Sequence, residues 1–190
     1  MPRNIEIKAR IDSVEALLPR AQAVAGGVAQ ILQQDDSFFR VAHGRLKLRE
    51  FADGSAELIH YLRADTGEAK ASDYVRVPVP DPAALREALL RGCGLLGRVR
   101  KTRWLLLVQR EGHSARIHID RVQGLGDFME LEVLMGEGEG EGEAQGDSDA
   151  AGAQIAEHLM QQLGLSQAQR LAGAYLDLLQ PATGPRLDPA

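Results

Sequence analysis

The chain has 190 residues, a formal net charge of −5 at pH 7, a pI near 5.6 and only 4% aromatic residues. This length suits one domain, and the lack of a basic field and of stacking rings argues against nucleic-acid binding. A single cysteine, Cys93, excludes an internal disulfide, no run approaches the ~20 apolar residues of a membrane span, and the first residues lack a secretory apolar stretch. These features predict a cytoplasmic protein with no nucleic-acid or membrane partner.

The first predicted element is a strand whose polar and apolar residues alternate. Its even positions carry the polar groups Asn4, Glu6, Lys8 and Arg10. Because side chains alternate across a strand, these groups share one face. A helix is predicted next, from a capping sequence at residues 12–15 to about residue 25, and Pro19 is expected to bend or shorten it.

Paired cations occupy two of the strands predicted in the middle of the chain. Lys47 and Arg49 share one strand face, and Lys101 and Arg103 share another. Arg63 ends a further strand-like segment. Between these strands, Asp81 and Pro82 provide an N-cap and a first-turn proline for a helix over residues 83–90, which Gly92 and Gly94 end.

Paired carboxylates lie on a later strand. Glu130 and Glu132 point the same way from the segment 128–133, which a Gly-Leu-Gly-Asp sequence at 124–127 precedes. Asp120 ends the strand-like Ile-His-Ile-Asp segment before it.

The remainder of the chain is predicted to contain a linker and two helices. Alternating Gly and Glu from residue 136 indicates a flexible linker over about 136–152, within a single domain of residues 1–180. Amphipathic helices are predicted at 153–163 and 166–179, broken at Gly164, followed by a disordered tail at 181–190.

The two kinds of charge pair suggest a shared site. Arginine and lysine neutralise phosphate oxygens through charge-assisted hydrogen bonds, and clustered carboxylates suit a hard divalent cation. Together they indicate a metal-triphosphate site. The competing interpretation is the solvated face of an antiparallel sheet with cross-strand ion pairs, although such a face usually mixes charge signs along each strand.

These motifs resemble the CYTH superfamily of triphosphate tunnel metalloenzymes, which includes class IV adenylyl cyclases and thiamine triphosphatases. The first strand is similar to the family's Glu-x-Glu-x-Lys signature, with Glu6 and Lys8 matching and Asn4 replacing the first acid. The resemblance spans roughly residues 4–179 and includes the segments 34–39, 46–50, 100–103 and 117–120. The segments 124–132 and 173–179 are similar to the class IV cyclase branch.

The resemblance implies an α+β fold that is mainly β, a closed eight-stranded antiparallel barrel whose charged lumen forms a tunnel, with flanking helices outside. It implies a Mg²⁺ or Mn²⁺ cofactor held by Glu6, Glu130 and Glu132, with Asp120 assisting. It implies triphosphate binding by Lys8, Lys47, Arg49, Arg63, Lys101 and Arg103, with Arg10 and Arg76 as weaker candidates. Lys8 is also the predicted catalytic residue.

The reaction favoured by the resemblance is that of a class IV adenylyl cyclase, which converts ATP to cyclic AMP and pyrophosphate. The alternatives are hydrolysis of tripolyphosphate or thiamine triphosphate, and noncatalytic binding of a polyphosphate or nucleotide. Homodimers are common in the cyclase branch, and no residue in the sequence decides the point. The histidines, His118 among them, show no paired-ligand spacing and are interpreted as structural.

Overall fold

A computed structural model describes residues 3–63, 68–110, 112–135 and 143–179, and these contain eight strands and four helices. The strands are β1 Arg3–Arg10, β2 Gln30–Phe39, β3 Arg45–Phe51, β4 Ala56–Arg63, β5 Lys70–Pro78, β6 Leu95–Arg110, β7 His113–Val122 and β8 Gly126–Met135. The helices are α1 Val14–Ala25, α2 Pro82–Gly92, α3 Glu143–Gln162 and α4 Tyr175–Leu179, with a 3₁₀ turn at Gln167–Gln169.

The strands form a closed barrel in the order β1-β5-β4-β3-β2-β6-β7-β8. Every neighbouring pair is antiparallel. Closure pairs the strands all the way round and so leaves no free sheet edge. The predicted fold class, a mainly β structure built on an eight-stranded antiparallel barrel, is confirmed.

The main hydrophobic core lies outside the barrel, between its strands and the helices. Ile5 and Ile7 of β1 pack there with Leu131 and Val133 of β8, all of them buried. Helix α3 contacts β1 and β8, and α1 contacts β6 and β7. Because the apolar face of each of these strands is used on the outside, the alternate residues must face the lumen.

Tight turns set the strand phase that aims these residues inward. Gly124, in the turn between β7 and β8, and Gly126, the first residue of β8, have φ angles of 80° and 98°. A side chain is strained in this left-handed region, so glycine suits both positions. β8 then starts with the phase that places Glu130 and Glu132 in the lumen.

Two helices begin where the sequence predicts. Ser13 caps α1 by accepting a hydrogen bond from the Ala16 amide at 3.2 Å, and Asp81 caps α2 by accepting one from the Ala84 amide at 3.0 Å. Helix α1 continues through Pro19, contrary to the expected shortening. Its buried residues on either side of the proline anchor both halves of the helix to the core.

The C-terminal region differs from the prediction. Helix α3 begins at Glu143, so the part of the predicted linker at 143–152 is helical, while 136–142 and the predicted tail at 181–190 lie outside the described residues. The continuous helix predicted at 166–179 is wrong. Arg170 instead bridges to Ala9, and the Leu171 amide donates to the Lys8 carbonyl at 2.9 Å, so only Tyr175–Leu179 is α-helical.

None of the described helices is both long and apolar enough to cross a membrane.

Candidate functional site: a charged lumen

A charged cavity of about 390 Å³ occupies the barrel lumen, lined by inward positions of all eight strands. The cations among the described lining residues are Lys8, Lys47, Arg49, Arg76, Lys101, Arg103 and Arg116. The carboxylates are Glu6, Asp36, Glu57, Glu130 and Glu132. A positive excess in a cavity of ligand size favours an anionic ligand.

One carboxylate holds two cations where β2 meets β3. Asp36 accepts two hydrogen bonds from Arg49, both at 2.7 Å, and one from the Lys47 ammonium at 3.1 Å. Burial alone would raise the pKa of Asp36, but Arg49 and Lys47 outweigh it and hold this pKa far below its usual range. The unit keeps one positive charge in excess.

A second carboxylate holds two cations where β6 meets β7. Asp120, which is 0% exposed, accepts hydrogen bonds from Arg103 at 2.7 and 2.6 Å and from Lys101 at 3.0 Å. The Tyr175 hydroxyl donates a further bond to it at 3.0 Å. Burial opposes ionisation of Asp120, but Arg103 and Lys101 lower its pKa below the usual range.

Burial and a neighbouring arginine lower the pKa values of the two lysines in these units. Burial, with Arg103 as the next cause, lowers the pKa of Lys101 to about 7. Burial, with Arg49 as the next cause, lowers the pKa of Lys47 to about 8. A polyanion entering the lumen would favour the protonated form of both, so its binding is coupled to proton uptake.

Tyr175 closes one end of the lumen, called here the capped end. Its ring centroid lies 4.4 Å from the Lys8 ammonium and 5.1 Å from that of Lys101, within the range of cation–π attraction. The ring also contacts Phe128, with centroids 4.9 Å apart. Lys8 also donates a hydrogen bond to the Gly173 carbonyl at 3.4 Å. The capped end is therefore an aromatic floor beneath lysines.

The inward residues of β7 give the order of groups along the lumen. Asp120 is at the capped end, since it bonds to Tyr175. His118 follows, and then Arg116, which pairs in register with Leu107 of β6. Leu107 lines the cavity and is 67% exposed, so it marks the mouth. His118 therefore lies between the capped end and the mouth.

Acidic and imidazole groups meet at that middle level. Ligand atoms of His118, Glu130 and Glu132 all lie within 4.8 Å of one another. Glu6 lines the same cavity and pairs with Glu132 across the β1–β8 ladder. The Nδ1 atom of His118 is buried without a hydrogen-bond partner. Two carboxylates and an unpartnered imidazole nitrogen fit a divalent cation.

Burial and neighbouring charges shift the pKa values of the groups in this cluster in different directions. Glu130 bonds to Arg103 at 2.9 Å and lies 3.6 Å from Lys8; burial opposes its ionisation, but Lys8 and Arg103 lower its pKa well below the usual range. Burial and the Glu130 charge raise the pKa of Glu132. Burial and Arg103 lower the pKa of His118, so the imidazole is neutral and its lone pair is available.

The lumen brings together most of the residues predicted from the sequence. Those that line the cavity are Glu6, Lys8, Lys47, Arg49, Lys101, Arg103, Glu130 and Glu132. Asp120 lies behind its two cations, with the Tyr175 hydroxyl against it, and is not among the lining residues. Arg63 ends β4, and its side chain lies outside the described part of the structure.

Arg76 and Arg10, the weaker candidates for triphosphate binding, lie in different parts of the structure. Arg76 lines the cavity with a half-exposed side chain, 3.8 Å from Glu57. Arg10 is exposed, donates to the Leu125 carbonyl at 3.0 Å and stacks over Phe128 at 4.6 Å. Arg10 is therefore outside the lumen.

Several residues that line the lumen were not assigned to the site from the sequence. Asp36, Arg116, His118 and Tyr175 all line the cavity. For the strand residues a signal was present: His118 has the same strand parity as Asp120, and the apolar residues beside it on β7 are buried in the outer core. No periodicity could place Tyr175, because it reaches the lumen from the C-terminal segment.

Two amide side chains in the lumen have unmatched oxygens. Asn4 and Gln34 line the cavity, are about 5% and 6% exposed, and bury Oδ1 and Oε1 without hydrogen-bond partners. Buried amide oxygens of this kind normally find a donor or a cation. They add neutral acceptors to the charged lining.

The comparisons with known proteins agree with this architecture. The model of the CYTH domain family matches residues 2–175. No protein of curated function matches the chain at a significant level.

Several solved structures have a similar fold. The PH1012 protein of Pyrococcus horikoshii superimposes with a TM-score of 0.75 at 21% identity, over 93% of this chain and 99% of that chain. A conserved hypothetical protein of Pyrococcus furiosus gives 0.72 at 22% identity, over 93% and 99%. HpAC1 of Hippeastrum, described as a candidate adenylyl cyclase with a dominant triphosphatase activity, gives 0.59 at 17% identity, over 87% and 89%.

At these identities the structural matches show the fold alone, whereas the family model covers nearly the whole chain. The tunnel barrel, the charged lumen and the family match agree. The chain belongs to the CYTH domain family, whose fold is the triphosphate tunnel.

Proposed function

We propose that this protein is a metal-dependent enzyme acting on the triphosphate group of an organic substrate, with conversion of ATP to cyclic AMP and pyrophosphate as the first candidate reaction. The observation that carries the proposal is the meeting, in one lumen, of two cation pairs and an acid-imidazole cluster. The first set matches phosphate oxygens and the second matches a divalent cation.

The cation pairs are suited to exchange a carboxylate for phosphate. Lys47 and Arg49 share Asp36 in the described structure, and the equivalent pair on β6 shares Asp120. Each unit has a positive excess that a polyanion can neutralise. Arginine supplies a fixed fork and lysine a movable point charge, so one unit can follow neighbouring phosphoryl groups.

The lumen gives the substrate a direction. Lysines surround Tyr175 at the capped end, whereas Leu105 and Leu107 provide apolar surface toward the mouth. A triphosphate entering with its terminal phosphate first would place the organic group against this apolar surface. The α-phosphate would then be the phosphoryl group nearest the mouth.

His118, Glu130 and Glu132 would hold the metal, with Glu6 in support. Bound there, a divalent cation supplies neutralisation of the charge that develops on phosphate oxygens. Arg103 and Lys8 keep Glu130 ionised as a ligand, because each lies within 3.6 Å of its carboxylate. Asp120, committed to its own cations, serves as a positioning residue in this arrangement.

In the cyclase reaction, the ribose 3′ oxygen forms a bond to the α-phosphorus and the bond to the bridging oxygen of pyrophosphate breaks. The hydroxyl proton must leave as the new bond forms. The barrel residues contribute by holding the triphosphate so that the 3′ oxygen, the α-phosphorus and the bridging oxygen lie in line, and by stabilising the leaving pyrophosphate with Lys47, Arg49 and Lys101. The level of the acid-imidazole cluster, between the Lys101–Arg103 pair and the mouth, supports attack at the α-phosphorus.

A second candidate, hydrolysis at the terminal phosphorus, is favoured by Lys101. Its pKa of about 7 near the capped end allows it to exchange a proton at neutral pH. It lies where the terminal phosphate would enter, so in its protonated form it is placed to stabilise the negative charge that develops on that phosphate's oxygens.

The two reactions differ in their products. Purified protein would be incubated with ATP and Mg²⁺ or Mn²⁺ and followed by ³¹P NMR. Pyrophosphate with cyclic AMP supports the first candidate, whereas ADP with orthophosphate supports the second. Glu130→Gln should abolish either reaction while keeping the fold, and Glu87→Gln, on the exposed face of α2, should not. Equal activity in the two variants would contradict the assignment.

A further inference from the structure

We propose that His118 is a metal ligand, and that with Glu130 and Glu132 it makes the lumen selective for first-row transition-metal dications such as Mn²⁺, Co²⁺ and Zn²⁺ over Mg²⁺. This inference rests on the proposed function for the presence of a metal, and it adds which metal the site prefers. It concerns a residue that the sequence alone predicted to be structural.

The position of His118 is the first argument. The residue is 4% exposed, and its Nδ1 is buried with no hydrogen-bond partner. The Nδ1 atom lies 3.6 Å from Oε1 of Glu132, beyond hydrogen-bonding distance. An imidazole nitrogen facing a carboxylate oxygen with no hydrogen bond between them is the arrangement that a shared cation would complete.

A purely structural role does not account for this nitrogen. Buried imidazoles in protein cores normally satisfy their polar atoms, because an unmatched buried polar atom costs about 1–3 kcal/mol. The apolar neighbours of His118 on β7, Ile117 and Ile119, point into the outer core, so the ring is not needed there for packing. It points into the lumen instead, beside Glu130, its partner in the β7–β8 ladder.

The nearby arginines do not block the side of the cluster that faces His118. Arg103 bonds to one oxygen of Glu130, and Arg116 lies 3.5 Å from Oε2 of Glu132. These contacts leave Oε1 of Glu132 facing His118. The arginines thus orient both carboxylates while the histidine side of the cluster remains available.

The ligand atoms determine which metal the site prefers. Mg²⁺ takes oxygen ligands and keeps several of its waters, whereas first-row transition metals bind imidazole more strongly, with an affinity that rises from Mn²⁺ to Co²⁺. A nitrogen donor therefore raises affinity for Mn²⁺, Co²⁺ and Zn²⁺ more than for Mg²⁺. Replacing it by an oxygen donor of similar size should remove that difference and leave an ordinary oxygen site.

The substitution His118→Gln makes this replacement. His43→Gln, on an exposed loop, is the matched control. Pulsed EPR of the full-length protein loaded with Mn²⁺ should show ¹⁴N coupling in the native protein and in the control, and none in His118→Gln. By calorimetry with each metal alone, His118→Gln should weaken Mn²⁺ and Co²⁺ binding at least about tenfold and Mg²⁺ binding less than about threefold.

Absence of ¹⁴N coupling in the native protein, or the same Mn²⁺ to Mg²⁺ affinity ratio in both variants, would overturn the inference. Circular dichroism of His118→Gln checks that the barrel is intact; if it is not, His118→Asn provides the same test with a shorter oxygen donor. Selective Mn²⁺ binding without turnover of any triphosphate would refute the proposed function and leave this inference standing. Turnover with an unchanged metal preference in His118→Gln would do the reverse.

Discussion

Replacing Asp120 with asparagine is expected to destabilise the protein strongly, although the two side chains have nearly the same shape. Asp120 is 0% exposed and compensates Lys101 and Arg103, which are 6% and 5% exposed. The substitution removes a charge but leaves both cations in the low-dielectric interior. Breaking a buried ion pair in this way costs about 3–5 kcal/mol.

The exterior of the barrel offers a matched control for this substitution. Asp35 also bonds to two cations across β2 and β6, Arg98 at 2.5 and 2.7 Å and Arg100 at 3.0 Å. Those arginine side chains are 46% and 54% exposed, so solvent screens the interaction. Asp35→Asn should therefore cost no more than about 1 kcal/mol.

Urea unfolding at pH 6 is the appropriate assay, because Lys101, with a pKa lowered to about 7 by burial and Arg103, is then charged. Tripolyphosphate should stabilise Asp120→Asn more than it stabilises the native protein, since the added anion replaces the missing charge. Equal destabilisation by the two aspartate substitutions, or no extra stabilisation by tripolyphosphate, would show that Asp120 does not act by compensating the two buried cations.

Three further predictions concern the lumen. Tripolyphosphate affinity should fall as pH rises from 7 to 9, because Lys101 and Lys47, with pKa values of about 7 and 8, lose the protons that the anion requires; calorimetry in two buffers should show proton uptake, and a flat pH profile would contradict this. Arg49→Ala should weaken tripolyphosphate about tenfold or more and orthophosphate much less, and equal losses would argue against a shared polyphosphate site. Tyr175→Leu should lower stability more than Tyr175→Phe, since only the former removes the aromatic floor under Lys8 and Lys101; urea unfolding of both variants measures this, and equal losses would assign the effect to the hydroxyl bond with Asp120.

Strand alternation predicted which faces of the barrel carry charge. The pattern at Lys47 and Arg49, and again at Glu130 and Glu132, is local, because a strand repeats every two residues. Barrel closure depends on pairings between distant strands and entered only through the family resemblance. The order of the strands could not be obtained from periodicity.

The C-terminal region was predicted least well, because contacts distant in sequence override local preference there. Gly152 lies inside α3, where an added Cβ would be 2.9 Å from both Ile5 and Met135. Close packing against β1 and β8 thus requires glycine in a helix that glycine disfavours. Arg170 is likewise drawn from a predicted helix into a bridge with Ala9.

Within the site, the partners of the cations were harder to predict than the cations. Asp36 meets Arg49 because β2 and β3 pair in that register, which the sequence does not specify. Strand parity could have placed His118 on the lumen face. Its metal role was instead assessed from the spacing of potential ligands along one strand. Its companions come from the neighbouring strand, so a rule based on sequence spacing could not find them.

Binding of a triphosphate beside a metal in the lumen can be observed in a crystal structure of the full chain with Mn²⁺ and tripolyphosphate. Phosphates are expected in contact with Lys47, Arg49, Lys101 and Arg103, and an ion between Glu130 and Glu132. An empty lumen, with tripolyphosphate absent or bound outside the barrel, would contradict this expectation.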